Sequence, residues 1–272
     1  MGEKIWFITG ASRGLGRVWA ETALARGDKV AACVRNVATL SGLVEKYGSA
    51  LLPIELDVRN KEDVGEAVRL AAVTFGRLNV VVSNAGYAIF GTIEETDQAN
   101  AREQFDTNFF GTLWVVQAVL PYLRKEGGGH ILITSSLAGI ITFPTAGIYN
   151  ATKWAVEGLG ETLAAEVAEF GVKVTLVEPG GYDTDWRGNS STHLTPMVEY
   201  DALRNRLKAA SVSRKLGNPA ATAGAILSVV DAEKPPLRLF LGEAPLGIAQ
   251  KQYADRLATW EAWVEVSRRA QG

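Results

Sequence analysis

The chain has 272 residues, of which 47% are hydrophobic and 21% are charged, and its formal net charge is −2. This composition is typical of a globular protein and excludes a disordered or fibrous chain. The small net charge gives no electrostatic reason to bind nucleic acid or an anionic membrane, and we expect neither partner.

Short apolar runs alternate with longer stretches of mixed polarity along most of the chain. Nearly continuous apolar character is typical of strands buried on both faces. It predicts strands at residues 5–9, 30–34, 51–56, 78–83, 131–134, 172–177 and 237–241. Helices are predicted at residues 15–26, 37–47, 61–75, 97–123, 148–170 and 219–230. The alternation predicts a single α/β domain over residues 1–272, doubly wound, with a mainly seven-stranded parallel sheet and helices on both faces.

Two segments depart from this alternation. Residues 183–216 are polar, mixed in pattern and interrupted by Pro196, which predicts a substrate lid rather than framework. Residues 243–272 continue beyond the last strand as a C-terminal helical extension. Its apolar residues follow a helical stripe that could cover the core or meet a second subunit. The stripe consists of Leu246, Ala249, Tyr253, Leu257, Trp260 and Val264.

Glycines occupy the turn between the first predicted strand and the first predicted helix. This turn reads Thr9-Gly10-Ala11-Ser12-Arg13-Gly14-Leu15-Gly16. Glycine lets the backbone approach a phosphate closely, and the helix N-terminus offers unpaired amides and the positive end of its dipole. In this position the turn predicts a Rossmann-like dinucleotide site, with a simple tight turn as the alternative.

The end of the second predicted strand indicates which dinucleotide binds. An NAD site usually has an acidic residue there, which holds the ribose hydroxyls. Here the strand ends in Val34-Arg35-Asn36, without a carboxylate. Arg35 and Arg13 suit a 2′-phosphate through their forked N–H donors, unless both are only solvated surface charges. The pair favours NADP(H) as the cofactor.

Tyr149 and Lys153 are the candidate acid–base pair. Four residues apart on a predicted helix, they rise from the same face. A phenol has a pKa near 10, and a neighbouring ammonium is expected to lower it. Ser136 lies upstream, at the end of an apolar strand. The spacing of the pair also occurs in ordinary helical pairs, so the remaining motifs decide between the two interpretations.

Several motifs in order make the chain resemble the short-chain dehydrogenase/reductase family over most of its length. The similar positions are the glycine turn from Thr9 to Gly16, Asp57 and Val58, Asn84, Ala85 and Gly86, Asn108, Ser136, Tyr149, Lys153, and Pro179, Gly180 and Thr184. Ser83 stands where the family often has an asparagine.

The resemblance implies a role for each of these residues. Tyr149 would be the general acid in carbonyl reduction and the general base in alcohol oxidation. Lys153 would lower the pKa of Tyr149 and hold the nicotinamide ribose, Ser136 would orient the substrate oxygen, and Asn108 would anchor a water beside Lys153. Cofactor contacts would come from Thr9, Gly10, Ser12, Arg13, Gly14, Leu15, Gly16, Arg35, Asp57, Val58, Asn84, Ala85, Gly86, Tyr149, Lys153, Pro179, Gly180 and Thr184.

The substrate is expected beyond the carboxyl ends of the strands, against a largely apolar wall. Candidate wall residues are Phe90, Leu137, Ala138, Phe143, Gly181, Tyr182 and Trp186, the last with plain packing as its alternative. His193 is expected to face solvent, and His130 to lie at the opposite edge of the sheet. No cluster of His, Cys, Asp and Glu has metal-ligand spacing, so we expect no metal.

The favoured function is therefore NADPH-dependent reduction of a ketone or aldehyde. Two alternatives remain open. One is an NADP-dependent alcohol or hydroxysteroid dehydrogenase working oxidatively, and the other is a regulator that senses NADP(H) without turnover. The resemblance also implies a homodimer or homotetramer, and the C-terminal extension argues against the tetramer more than the dimer.

The single cysteine and the N-terminus bear on location. Cys33 cannot form an internal disulfide, which suits a reducing compartment. The first residues enter an apolar strand without the long apolar region of a signal peptide, and no apolar stretch approaches the roughly 20 residues that span a bilayer. We expect a cytoplasmic protein.

Overall fold

The computed structural model describes residues 2–185, 188, 190–211 and 215–272. Within these residues, seven parallel strands form one sheet in the order β3-β2-β1-β4-β6-β7-β9. Its strands are β1 (Ile5–Thr9), β2 (Lys29–Val34), β3 (Leu51–Glu55), β4 (Val80–Ser83), β6 (Gly129–Thr134), β7 (Val172–Pro179) and β9 (Arg238–Leu241). A separate two-residue pairing joins β5 (Ile89–Phe90) to β8 (Thr192–His193). The predicted doubly wound parallel fold is confirmed.

Helices cover both faces of this sheet. They are α1 (Gly14–Ala25), α2 (Ser41–Tyr47), α3 (Lys61–Phe75), α4 (Gln98–Phe105), α5 (Gly111–Lys125), α6 (Gly147–Val167), α7 (Asp201–Ser211), α8 (Thr222–Asp231), α9 (Ala244–Ala262) and α10 (Val264–Arg269). Successive side chains of a strand point to opposite faces, so Ile5 and Phe7 pack with α3, α5 and α6. Trp6 and Ile8 pack with α1, α2 and α8 on the other face.

Local capping signals explain why α3 agrees with its predicted bounds. The Asn60 side chain accepts hydrogen bonds from the backbone N–H groups of Glu62 and Asp63, at 3.1 and 3.3 Å. At the other end Gly76 adopts φ 82°, a left-handed conformation that suits glycine and ends the helix.

The long helix predicted at 97–123 is interrupted. α4 passes through a π-helical turn, Asp106–Phe110, before α5 begins. A π turn widens the helix by one residue and often occurs at functional sites. Here it contains Asn108, one of the expected catalytic residues.

The C-terminal extension forms α9 and α10, and most of its apolar stripe does not cover the core. In α9 only Pro245 and Ala249 are buried, and Ala249 packs against a small cluster that includes Leu137 and Ile141. The side chains of Leu246, Tyr253, Leu257, Trp260 and Val264 are exposed.

Two features are absent from the described residues. No helix among them combines the length and apolar character needed to cross a bilayer. In the same part of the chain, no group of three or more His, Cys, Asp or Glu side chains could hold a metal ion.

Candidate active site

A cavity of about 1230 Å³ opens at the carboxyl ends of the strands. It adjoins the point between β1 and β4 where the strand order reverses, which is the usual ligand site in open α/β sheets. Single small-molecule pockets measure roughly 300–1,000 Å³, so this cavity has room for a cofactor and a substrate together. Its lining includes both the glycine turn and the expected catalytic residues.

The glycine turn is held against the end of β4 by close backbone contacts. Gly10 has φ 67°, and a Cβ there would stand 2.9 Å from the Cα of Ala85. The Asn84 amide donates to the carbonyl oxygens of Thr9 and Gly10 at 3.1 and 3.2 Å. A Cβ on Gly16 would collide with the Asn84 amide and the Gly10 carbonyl. Thr9, Asn84 and Gly16 therefore shape the turn, leaving its backbone to meet a phosphate.

The buried hydroxyl of Thr9 also links the glycine turn to the end of β4. Thr9 is fully buried, and its Oγ1 accepts hydrogen bonds from the backbone N–H groups of Asn84 and Ala85 at 3.0 and 3.1 Å. Neither Thr9 nor Gly16 lines the cavity, so both act behind the turn rather than on a ligand. The other expected cofactor residues line the cavity: Gly10, Ser12, Arg13, Gly14, Leu15, Arg35, Asp57, Val58, Asn84, Ala85, Gly86, Tyr149, Lys153, Pro179, Gly180 and Thr184.

A third arginine, Arg59, joins Arg13 and Arg35 in the cavity wall. Its Nε lies 3.0 Å from both carboxylate oxygens of Asp57, and its Nη1 lies 2.8 Å from Glu103. This contact, with a smaller contribution from Arg35, holds the pKa of Asp57 below its usual range. The Asp57 carboxylate, expected to contact the cofactor, is thus bound to Arg59. Arg59 was not predicted from the sequence. The signal that could have found it is its position two residues after Asp57.

The hydroxyl of Tyr87 is a buried polar atom without a hydrogen-bond partner. Burial raises the pKa of Tyr87 to about 12, and Arg59 and Arg35 are among the charges that act on it. Tyr87 lines the same cavity as these arginines, and an unsatisfied buried donor is costly. Three guanidinium groups and a glycine turn are a suitable set of donors for the phosphates of a dinucleotide.

Tyr149, Lys153 and Ser136 come together at the inner end of the cavity. Tyr149 and Lys153 are each 5% exposed. Ser136 begins a short 3₁₀ turn, Leu137–Gly139, and its Oγ accepts a hydrogen bond from the Ala138 N–H at 3.1 Å. Lys153 Nζ donates to the Thr134 carbonyl oxygen at 2.7 Å and lies 5.8 Å from the centre of the Tyr149 ring.

The sequence predicted a lowered pKa for Tyr149, and this prediction is wrong. Burial raises the pKa of Tyr149 to about 12, outweighing the opposite effect of a hydrogen bond with Ser136. Burial also lowers the pKa of Lys153 to about 8, against a raising effect of Glu157. The correction has a physical cause, because desolvation opposes the phenolate and the ammonium is bound to Thr134. A phenol in this state is a proton donor at neutral pH.

Asn108 connects the loop after β4 to α6. Its Nδ2 donates to the Tyr87 carbonyl oxygen at 2.9 Å and to Thr152 Oγ1 at 3.1 Å. Its Oδ1 accepts from the Tyr87 N–H at 3.0 Å. Because both Nδ2 hydrogens are used, the water link expected of Asn108 must use its remaining oxygen lone pairs.

The substrate side of the cavity agrees with the expected apolar wall. Phe90, Leu137, Ala138, Phe143, Gly181 and Tyr182 all line it, together with Leu194 and Leu207. Trp186 lies outside the described residues. Thr145, also in the lining, has φ 62°, which is strained for a β-branched residue and typical of functional sites.

The two histidines have different positions. His130 is buried at the start of β6, with Nε2 2.9 Å from Thr175 Oγ1, at the edge opposite the cavity as expected. His193 was expected to face solvent. It is exposed, but its ring stacks on Phe90 at 5.2 Å between centroids and lines the cavity. The short β5–β8 pairing causes this, a long-range contact that spacing alone does not indicate.

A buried carboxylate fastens the segment predicted as a lid. The Glu95 side chain is 1% exposed and forms an ion pair with Arg204 of α7. Its two oxygens accept hydrogen bonds from the Met197 N–H at 2.6 Å and the Thr92 N–H at 2.7 Å. The strip between β8 and α7 is thereby tied to the loop after β5.

Replacing Glu95 with alanine should loosen this segment. Removing one partner of a buried pair costs about 3–5 kcal/mol, and each 1.4 kcal/mol of easier local opening is tenfold. We expect limited proteolysis within residues 190–211 to become at least about tenfold faster. Glu94→Ala, which removes only the exposed contact with Tyr200, is the control. Equal cleavage of both variants and the parent would contradict the role of Glu95.

A parallel sheet with a glycine turn at its switch point and a buried Tyr–Lys pair is the arrangement typical of dinucleotide-binding α/β proteins. The family model described as short chain dehydrogenase matches residues 4–195. The chain belongs to this family of oxidoreductases, and the resemblance found in the sequence is confirmed.

Individual relatives are similar over most of the chain. Oxidoreductase BOA17 of Botryotinia fuckeliana is 41% identical over 269 residues, covering 97% of this chain and 98% of the relative. A 3-ketodihydrosphingosine reductase of Bacteroides thetaiotaomicron is 35% identical, covering 89% of each. The crystal structure of a short-chain dehydrogenase from Streptomyces avermitilis has a TM-score of 0.92 and 35% identity, covering 98% of each chain.

Structures of related proteins contain both kinds of dinucleotide. A short chain dehydrogenase/reductase from Burkholderia phymatum, in complex with NAD, has a TM-score of 0.82 and 25% identity, covering 94% of this chain and 95% of that one. A short chain dehydrogenase from Burkholderia cenocepacia, in complex with NADP, has a TM-score of 0.77 and 28% identity, covering 96% and 97%.

Proposed function

We propose that this chain is an NADPH-dependent carbonyl reductase that acts on an apolar ketone or aldehyde. The observation that carries the proposal is the convergence of Ser136, Tyr149 and Lys153 at the inner end of a cavity whose outer end has three arginines. The similar 3-ketodihydrosphingosine reductase of Bacteroides thetaiotaomicron, whose name describes reduction of a ketone, supports the direction.

The residues around the outer end fit a 2′-phosphorylated dinucleotide. The glycine turn would hold the pyrophosphate, and Arg13 and Arg35 would bind the 2′-phosphate, with Arg59 adding positive charge beside them. NADPH, when bound, supplies the hydride. No carboxylate follows β2 to hold a free ribose 2′-hydroxyl, which argues against NADH.

The chain's own residues manage the proton. Ser136 would donate a hydrogen bond to the substrate oxygen and orient it. Tyr149 Oη would give its proton to that oxygen, which its raised pKa supports because the phenol stays protonated at neutral pH. Lys153 would hold the ribose and, as a cation, stabilise the phenolate left after the transfer. Oxidation of an alcohol would need deprotonated Tyr149 as the base. Because its pKa is raised, little of that phenolate is present at neutral pH.

A substrate panel tests the proposal. Aldehydes, cyclic ketones, ketoesters and steroids are offered with NADPH, and loss of the reduced cofactor's absorbance is followed. The matching alcohols with NADP⁺ form the oxidative arm. We expect reduction of at least one apolar carbonyl at pH 7 to exceed oxidation of its alcohol. Tight NADPH binding without turnover across the panel would instead indicate a sensor.

A further inference from the structure

Behind the Tyr149–Lys153 pair lies a group of charged side chains that the proposed reaction does not use. We call Glu157, Glu161, Glu178 and Arg238 the acid cluster. Glu157 is 5% exposed and Glu178 is fully buried, whereas the side chain of Glu161 is 64% exposed. The cluster therefore runs from the buried end of the active site to the surface.

Helical spacing connects the cluster to the active site. Tyr149, Lys153, Glu157 and Glu161 are four residues apart in turn, so all four lie on one face of α6. Arg238, at the start of β9, reaches this face from the sheet. Its Nε donates to Glu157 Oε2 at 2.9 Å, and its Nη2 donates to Glu161 at 2.8 Å.

Glu178, near the end of β7, brings a second buried carboxyl to the same arginine. Its Oε1 lies 3.6 Å from Arg238 Nε. Burial, followed by the charge of Glu157, raises the pKa of Glu178 to about 8. Glu178 is thus protonated at neutral pH. Burial raises the pKa of Glu157 as well, but hydrogen bonds with Ser135 and Arg238 and the charge of Arg238 oppose that rise. Glu157 is therefore the carboxyl of the pair that carries the negative charge.

Glycine at position 139 allows the cluster to approach the catalytic serine. A Cβ on Gly139 would stand 2.8 Å from Ser135 Oγ, 2.9 Å from Glu157 Cγ and 3.0 Å from the Lys153 carbonyl oxygen. The turn that follows Ser136 thus packs directly on the segment of α6 between Lys153 and Glu157. Glu157 Oε1, Ser135 Oγ and both Glu178 oxygens are buried, and the Ser135 hydroxyl and the Glu178 carboxyl both interact with the Glu157 carboxylate. Burial of these polar groups is costly unless they are paired with one another.

We propose that Glu157 is a positioning residue of the active site: clamped by Arg238 one helical turn behind Lys153, its carboxylate keeps the buried Lys153 ammonium charged. The inference deepens the proposed function and rests on it for its catalytic meaning. The charged and titratable groups facing Glu157 are Lys153 and Glu161 on α6, Glu178 on β7 and Arg238 on β9, with the Ser135 hydroxyl beside them.

The sign of the effect follows from the balance at Lys153. Burial favours the neutral amine and lowers the pKa of Lys153 to about 8, while Glu157 favours the ammonium and raises it. Lys153 is therefore charged below about pH 8 and neutral above it. Without the charge of Glu157, this transition moves to lower pH, by about one unit for an opposite charge at close range.

The experiment titrates Lys153 directly. Protein labelled with ¹³C at the lysine ε carbons is followed by NMR from pH 6 to 11, and the Lys153 signal is assigned by its loss in Lys153→Arg. We expect Glu157→Gln to lower the Lys153 titration midpoint by about one pH unit. The alkaline limb of kcat/KM should move by the same amount. Glu161→Gln, which removes a carboxylate on the same arginine but farther from Lys153, should leave the midpoint unchanged.

Two further variants keep the proposal falsifiable. Glu178→Gln copies the protonated state of Glu178 and should not lower the midpoint. If Glu157→Gln does not fold, Glu157→Asp is used instead. It keeps the carboxylate on a side chain shorter by one methylene, so the Lys153 titration midpoint should fall by less. An unchanged or raised midpoint in the folded Glu157 variants would overturn the role of Glu157. The NMR titration needs no turnover. Its outcome can therefore be distinguished from a failure of the substrate panel.

Discussion

Replacing Tyr149 with phenylalanine is expected to lower kcat for carbonyl reduction by about 10²–10⁴-fold, the usual contribution of a general acid. The substitution removes only the Oη atom. The ring packs among Ala88, Ala138 and Ala146, and phenylalanine can keep those contacts. NADPH binding, measured by fluorescence titration, should therefore change much less than turnover.

Tyr122→Phe is the matched control, since Tyr122 lies on α5 outside the cavity and should keep the parental kcat. The pH dependence gives a second check. With a Tyr149 pKa of about 12, the phenol remains protonated across the neutral range, so the alkaline limb of reduction should follow Lys153 near pH 8. Near-normal turnover by Tyr149→Phe would refute Tyr149 as the proton donor.

Replacing Arg35 with alanine is expected to reduce kcat/KM for NADPH by roughly 10–100-fold while leaving that for NADH nearly unchanged. A hydrogen bond to a charged group contributes about 1.5–3 kcal/mol, and every 1.4 kcal/mol is tenfold. Arg35→Asp should go further, because a carboxylate there repels a 2′-phosphate and can accept hydrogen bonds from ribose hydroxyls.

Arg17→Ala provides the control for Arg35. Arg17 lies on α1 near the glycine turn, but it contacts the Thr39 carbonyl oxygen at 3.0 Å and does not line the cavity. The NADPH-to-NADH preference should survive its removal. A parent enzyme that uses both cofactors equally, or prefers NADH, would contradict the assignment of Arg13 and Arg35 to a 2′-phosphate.

Features set by neighbouring residues were predictable from the sequence. The seven apolar runs correspond to the seven strands of the sheet, because burial on both faces demands continuous apolar side chains. α3 begins and ends as predicted, since the Asn60 cap and the left-handed Gly76 are signals carried by single residues. The π turn at Asp106–Phe110 was not predicted, because the helical pattern of residues 97–123 does not indicate an extra residue in one turn.

The candidate site divides in the same way. Motif spacing predicted the residues that line the cavity around the glycine turn, Ser136, Tyr149 and Lys153. Contacts between distant segments were not predictable: Arg59 with Glu103, Glu95 with Arg204, and His193 against Phe90. Each joins residues at least 44 positions apart, so no local pattern records it.

The sequence by itself determined the family, the parallel α/β fold and the order of motifs along the chain, because each depends on residue type and short-range spacing. Only the tertiary structure decided the protonation states. Spacing placed Lys153 beside Tyr149 and predicted a lowered phenol pKa, yet burial raises it to about 12. Desolvation depends on all the atoms that exclude water from a group. The elements that surround Tyr149 and Lys153, and that bring Glu178 and Arg238 to Glu157, come together only when the chain is folded.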